Sequence, residues 1–281
     1  MIEFKIAARR RGLRSLAALY LGAIATIGPA ASAATLDEIK ARNEMVVATE
    51  DNYKPFEFVE DGKPMGLDHD LLALLRKQGP FTIRQQIIPW TGLLAGVSTG
   101  KYDVALTAAV ITPERLKDLD FTMPIADATH YYVTRADDAS INSVADLSGK
   151  TVGVQAGGAS YSALTELTQM LAKTGGKLGK VVQYASFPEA YQDLAAGRLD
   201  YVVNGVVNLV SLTREQPKRF KLGQAVTAPT YAAWAVAKGN DALLNYLDDF
   251  LAKTRKDGQL YALQTKWFGR AFETMPDTPS K

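Results

Sequence analysis

The chain has 281 residues, 47% of them apolar and 22% charged, with a formal charge of +2. That is enough for one large domain or two small ones, and it is the composition of an ordinary globular protein. There is no cysteine, which excludes disulfides, thiol chemistry and cysteine-linked lipid. The two histidines, His69 and His130, lack metal-ligand spacing, so neither a metal site nor a cofactor is expected.

Residues 1–33 read as a secretory signal. Lys5, Arg9, Arg10, Arg11 and Arg14 form a basic head, Leu16 to Ile27 is apolar but short for a bilayer, and Ala31-Ser32-Ala33 offers a cleavage site. Arg9-Arg10-Arg11-Gly12-Leu13 also loosely resembles a twin-arginine signal, so the export route stays open, as does retention as an anchor. With five basic residues and one acid, this segment carries a net +4 and leaves the rest of the chain at 2 − 4 = −2. Basicity therefore says nothing about nucleic acid. A soluble protein outside the cytoplasm is expected.

In the mature chain, Thr35 with Glu38 predicts a capped helix to Asn43, and Met45 to Thr49 a buried strand. Glu50 to Phe58 is irregular and aromatic, and Asp61-Gly62 marks a turn. Leu67 to Lys77 is an amphipathic helix closed by Gly79-Pro80, followed by a strand at Phe81 to Ile88 and a helix at Trp90 to Ser98. Gly100 ends that helix, and Tyr102 to Ala109 reads as a strand. Thr112-Pro113-Glu114-Arg115 then has the cap, proline and acid of a helix start, a natural anion site. Arg115 either grips a carboxylate there or pairs with Asp118 or Asp120 on the surface.

A second unit repeats the pattern. Strands are predicted at Tyr131 to Thr134, Thr151 to Val154, Val181 to Tyr184 and Leu199 to Val203. Helices are predicted at Ser160 to Lys173, Pro188 to Ala196 and Val207 to Thr213, with Gln155-Ala156-Gly157-Gly158 as a glycine turn before the first. Tyr231 to Lys238 is a last strand, followed by helices at Leu243 to Lys256 and Gln259 to Phe268. Gly100-Lys101-Tyr102-Asp103-Val104 echoes Gly197-Arg198-Leu199-Asp200-Tyr201, through either one turn used twice or a duplication. Either way two α/β lobes are implied, with ligand expected where strand carboxyl ends face each other.

Eight stretches in order carry a family resemblance. They are Ala48-Thr49-Glu50 with Tyr53-Lys54-Pro55-Phe56-Glu57-Phe58, Gly66-Leu67-Asp68-His69-Asp70-Leu71, the Gly100 turn, Ile111-Thr112-Pro113-Glu114-Arg115, Asp120-Phe121, the Asp146 to Gly157 run, Ala196 to Asp200, and Lys266-Trp267-Phe268-Gly269. Together they resemble the periplasmic solute-binding proteins of polar amino-acid ABC importers, solute-binding protein family 3. The resemblance implies an α/β fold of two lobes, each a mostly parallel sheet flanked by helices, joined by two crossover strands. Lobe 1 would hold 34–125 plus 232–281, and lobe 2 would hold 128–228. It implies a periplasmic monomer that is not an enzyme, captures a small carboxylate or amino-acid-like solute between its lobes, and serves an inner-membrane permease.

Site residues carry over by position. Arg115 matches the arginine that grips the ligand carboxylate, with Thr112 beside it, and Gly158 and Ala159 match a backbone that donates to the same group. Tyr53 and Trp90 match the aromatics that sandwich the ligand, or are core residues; Glu50 matches an acid that meets a distal charge. Ala108, Val110 and Asn204 complete the expected lining. Val110 stands where the family usually has serine or threonine, and Gly205 where it usually has the aspartate that grips the α-ammonium, unless the alignment slips near 203–207. An α-amine would then have to meet Glu50 or Asp51, or be absent from the ligand. The rival function is an enzyme on the same scaffold, resembling cyclohexadienyl dehydratases, with Glu50, Asp51 and Glu57 as available acids. A sensory module is disfavoured, because beyond the leader the chain runs to Lys281 with no transmembrane helix or signalling domain.

Overall fold

Long apolar runs build the two sheet centres. Glu44–Glu50 (EMVVATE) and Val104–Val110 (VALTAAV) are buried almost throughout, as central parallel strands must be when helices cover both faces. The computed structural model describes residues 33–278. The leader expected at 1–33 lies, but for Ala33, outside them. Helix α1 (Leu36–Arg42) begins with the expected capping box between Thr35 and Glu38. There follow β1 (Glu44–Glu50), β2 (Asn52–Tyr53), β3 (Glu57–Glu60), β4 (Lys63–Met65), α2 (Leu67–Gln78), β5 (Thr82–Ile88), α3 (Leu93–Ser98), β6 (Val104–Val110), β7 (Leu119–Phe121) and β8 (Ala126–Asp127). The chain continues through β9 (His130–Arg135), β10 (Val152–Gln155), α4 (Ala159–Ala172), β11 (Val181–Tyr184), α5 (Phe187–Ala195), β12 (Tyr201–Gly205), α6 (Val206–Glu215) and β13 (Phe220–Ala225). It ends with β14 (Tyr231–Ala237), α7 (Asp241–Lys256) and α8 (Gln259–Phe268).

Each lobe is built on one sheet. The first runs β5-β1-β6-β14-β7, with β8 also on β14; the second runs β11-β10-β12-β9-β13. The centre of each is parallel, β5-β1-β6 and β11-β10-β12. Antiparallel strands are added where the chain passes between lobes: β14 pairs antiparallel with β6, and β9 with β12. The two passing segments run side by side, with Ala128 N–H donating to Thr230 O and Val226 N–H to His130 O, both at 2.8 Å. Consequently the carboxyl ends of β1, β6, β10 and β12 are brought to one cleft.

The sequence reading missed edge strand β13 and placed most other boundaries within a few residues. It erred in kind at Thr112-Pro113-Glu114-Arg115. That stretch forms a single 3₁₀ turn, Arg115–Lys117, not a helix. The reason is tertiary: Leu119–Phe121 is claimed as a strand by β14, with Phe121 opposite Ala235, so only one turn fits between β6 and β7. The irregular aromatic stretch is a three-stranded meander, β2-β3-β4. Its turn is the predicted Asp61-Gly62, with φ of 50° and 72°, the pattern of a tight hairpin. Gly66 is obligatory there, because a Cβ would lie 2.2 Å from Phe56 O.

Below the cleft, the first lobe buries two acids. Glu57 accepts from Thr107 Oγ1, and Asp68 Oδ1 accepts from Trp234 Nε1 at 2.6 Å. Glu57 Oε2 and Asp68 Oδ2 find no other donor, and one proton shared between these carboxyls satisfies both. Burial pushes the Asp68 pKa up to about 6 and that of Glu57 well above its ordinary range. Trp234 is fully buried and stacks on Phe250 at 6.0 Å. Asp68→Ala would orphan the indole N–H, and urea unfolding should show a loss of about 2–4 kcal/mol.

Candidate functional site

The strand ends supply the walls of a small cleft pocket. From lobe 1 come Glu50 at the end of β1, Tyr53 on β2, Trp90 after β5, Ala108, Ala109 and Val110 at the end of β6, and Arg115. From lobe 2 come His130 at the start of β9, Gln155 at the end of β10, Gly158, Ala159 and Ser160 at the start of α4, Phe187, and Asn204. The pocket thus gathers nine of the ten residues expected from the sequence. Thr112 is the other; it does not line the pocket, and its hydroxyl accepts from the Arg115 N–H at 3.3 Å, bracing the turn.

Arg115 faces the cleft, not the outer surface. Its Nη1 donates to Val110 O at 2.8 Å, its Nη2 to Gly157 O of the other lobe at 3.4 Å, and its guanidinium lies 4.9 Å over the Trp90 ring. Asp120 pairs instead with Lys238, at 2.6 Å. Among the described residues no acid lies within ion-pair distance of Arg115. Desolvation of the half-buried guanidinium lowers its pKa to about 10, so it stays cationic at neutral pH. The 14-residue helix α4 sets its first turn in the same wall, where aligned peptide dipoles favour an anion. The anion-favouring helix end is therefore in lobe 2, not at Thr112.

Trp90 and Tyr53 prove to be both core and lining. Trp90 is 8% and Tyr53 9% exposed, and both belong to buried clusters. Tyr53 stacks on Phe56 and donates its hydroxyl to Asn204 Oδ1 across the cleft at 3.3 Å.

Glu50, 2% exposed, accepts a cross-cleft bond from Gln155 Nε2 at 2.7 Å. Burial pushes its pKa up to about 8, against the help of the Gln155 bond, so the carboxyl is largely protonated at neutrality. The other acids named from sequence are not in the lining: Glu57 is packed behind with Thr107, and Asp51 is absent from it. Gly205 ends β12 directly opposite His130. A Cβ there would lie 2.9 Å from Asn208 Oδ1 and 3.6 Å from Tyr53 Oη, so these oxygens occupy the space that a side chain would need.

Ala109, Gln155 and Ser160 lie in the strand ends 107–115 and 155–160 where ligand was expected, though none was singled out; His130 and Phe187 were missed. Gln155 had a usable signal, since it ends the first strand of its lobe as Glu50 does in the other. His130 had none; it reaches the pocket only because the passing strand enters β9 there. It is 3% exposed, its Nδ1 is without a partner, and burial with repulsion from Arg115 lowers its pKa to about 4, so it presents a neutral imidazole.

Residues 45–270 match the bacterial extracellular solute-binding proteins, family 3, and the chain belongs to that family. It is 29% identical to the L-cystine-binding protein TcyJ of Escherichia coli (strain K12) over 92% of this chain and 96% of that protein. Among solved structures, an ancestral arginine-binding protein bound to arginine is similar at TM-score 0.71 and 33% identity, over 81% of this chain and 99% of that one. An ancestral amino acid-binding protein described as a precursor of cyclohexadienyl dehydratase is similar at TM-score 0.73 and 30% identity, over 83% and 98%. The family and two-lobed architecture expected from the sequence are those found.

Folded Glu50 keeps a proton that the unfolded chain releases above its ordinary value of 4.5, so this carboxyl costs stability increasingly as pH rises toward 8. Glu50→Gln should therefore stabilise the ligand-free protein by on the order of 1–3 kcal/mol at pH 8, with the gain vanishing near pH 5. Melting curves of both proteins across that range check the sign.

Proposed function

We propose that this chain is a periplasmic binding protein which closes on one small carboxylate or amino-acid-like solute and presents it to an inner-membrane ABC permease. It acts as a monomer without a cofactor, and lobe 1 comprises 34–125 plus 232–281 while lobe 2 comprises 128–228. The observation that carries this reading is Arg115: a cation in the cleft, held among the described residues by two carbonyls and an aromatic face, with the start of α4 in the same wall. A carboxylate there would take the guanidinium and the helix end together. The named relatives are binding proteins for amino acids, which supports a ligand of that class. Closure is favoured by bonds that reach from one lobe to the other, Glu50 to Gln155 and Tyr53 to Asn204.

One observation supports a second reading. Glu50 is a carboxyl in the pocket that stays protonated near neutrality, as a general acid for dehydrating a cyclohexadienyl acid would need to be. The binding reading is the stronger, since the relatives bind their solutes. A binder raises its melting temperature with ligand and leaves the ligand unchanged, whereas an enzyme consumes it.

Arg115→Ala should remove ligand-induced stabilisation and keep the ligand-free fold. Thermal-shift screening over carboxylates and amino acids reads both at once, and loss of folding would make Arg115 structural. Because Gly205 offers no carboxylate to an α-ammonium, alanine and glutamine should bind weakly, with Kd of about 0.1 mM or higher by calorimetry.

A further inference from the structure

Four residues of the cleft lining can ionise: Glu50, Tyr53, Arg115 and His130. Of these, Arg115 alone is charged to any large extent at neutral pH. Burial keeps Glu50 largely protonated and the Tyr53 hydroxyl intact, and burial together with the charge of Arg115 keeps His130 neutral. A carboxylate at Arg115 therefore balances the pocket. A ligand ammonium would add a second cation with no anion to meet it.

Several oxygens of the lining are already engaged within the protein. Asn204 Oδ1 accepts from Tyr53 Oη at 3.3 Å and from the Gly205 N–H at 2.7 Å. Ser160 Oγ accepts from the Gln155 N–H at 3.3 Å, Val110 O from Arg115 Nη1 at 2.8 Å, and Glu50 Oε1 from Gln155 Nε2 at 2.7 Å. An ammonium has three N–H groups to satisfy and accepts nothing in return. Donors left unmet in a buried site are costly.

His130 has capacity to spare. It is 3% exposed, and its Nδ1 is buried without a partner. Its backbone is pinned on both sides: the His130 N–H donates to Thr227 Oγ1 at 3.1 Å, and its carbonyl accepts from the Val226 N–H at 2.8 Å. The ring is thus fixed in the wall with a polar atom that no protein group completes. Whichever nitrogen carries the proton, a neutral imidazole offers one donor and one acceptor. Glu50 adds the hydrogen of its protonated carboxyl. A hydroxyl both gives and takes, so it answers both groups, whereas an oxo group only takes and an ammonium only gives. The Arg115 charge that helps keep the ring unprotonated also acts against an ammonium placed beside it. The aromatic faces of Trp90, Phe187 and Tyr53 are left for an apolar side chain.

We propose that the cleft is built for an α-hydroxy carboxylate in place of an amino acid, with the carboxylate at Arg115 and the hydroxyl at His130 and Glu50, and that His130 is the residue that selects the hydroxyl. The proposal rests on the reading of Arg115 given above and narrows its ligand to one class.

The test uses matched sets that differ at one substituent: L-lactate, L-alanine and propanoate; L-α-hydroxyisocaproate, L-leucine and isocaproate; L-phenyllactate, L-phenylalanine and phenylpropanoate. Calorimetry on the full mature chain should show, in at least one set, the hydroxy acid bound at least about tenfold more tightly than both of its counterparts. His130→Leu should remove the preference over the acid that lacks the hydroxyl. His130→Gln, which keeps a donor and an acceptor, should retain it, with the fold of both variants verified by melting. Absence of the preference from every set, its survival in a folded His130→Leu, or its loss in a folded His130→Gln overturns the proposal. Arg115→Ala separates this inference from the reading beneath it. If amino acids bind more tightly than hydroxy acids and Arg115→Ala abolishes that binding, the carboxylate site stands and the hydroxyl assignment falls; if Arg115→Ala leaves binding unchanged, the carboxylate site itself falls.

Discussion

The guanidinium of Arg115 is held where the two lobes meet, and the rest of the site is disposed around it. Its partners are neutral: a carbonyl from each lobe and the face of Trp90. Neutral acceptors hold the side chain in one place without cancelling its charge. Because one carbonyl belongs to lobe 1 and the other to the turn before α4, the geometry of the cation depends on the lobes being together. An anion bound there would be attracted to both sides at once, which would tie capture to closure.

The acids nearby are kept from opposing that charge arrangement. Glu50 sits in the pocket as a largely protonated carboxyl at neutral pH, and Glu57 and Asp68 share a proton behind it. Burial does this work, since no second cation is present in the pocket lining to keep the carboxylates ionised. A protonated Glu50 can also donate a hydrogen bond, so the site offers both a cation and a neutral donor. At Gly205 the cleft has instead a set of neutral oxygens, from Asn208 and Tyr53. The electrostatics therefore favour an acidic group more clearly than a basic one.

The same scaffold explains why the pocket lining is concentrated at strand ends. Parallel centres in both sheets point their carboxyl ends at the cleft, and the antiparallel passing strands fix how the sheets face one another. Glu50 and Gln155 occupy matching positions, and they bond across the gap at 2.7 Å. Where a local pattern competed with this framework, the framework prevailed. The helix start at Thr112 is a good local signal, yet the pairing of β7 with β14 leaves it a single turn.

Patterns of burial and turn chemistry in the sequence determined the alternation of strands and helices, the capping box at Thr35, the hairpin at Asp61-Gly62, and, with eight ordered motifs, the family. They also marked Arg115, Tyr53, Trp90 and Glu50, because a motif places such residues at strand ends whatever the partners are. Whether Arg115 turned inward was open from sequence, since Asp118 and Asp120 stand within a few residues; the pairing of Asp120 with Lys238, far along the chain, decided it. His130, Phe187 and Ser160 became pocket residues only through contacts between distant segments. The same holds for protonation: spacing alone cannot say that Glu50 is buried and Asp51 is outside the lining. That difference is made by desolvation, which exists only once the lobes have packed.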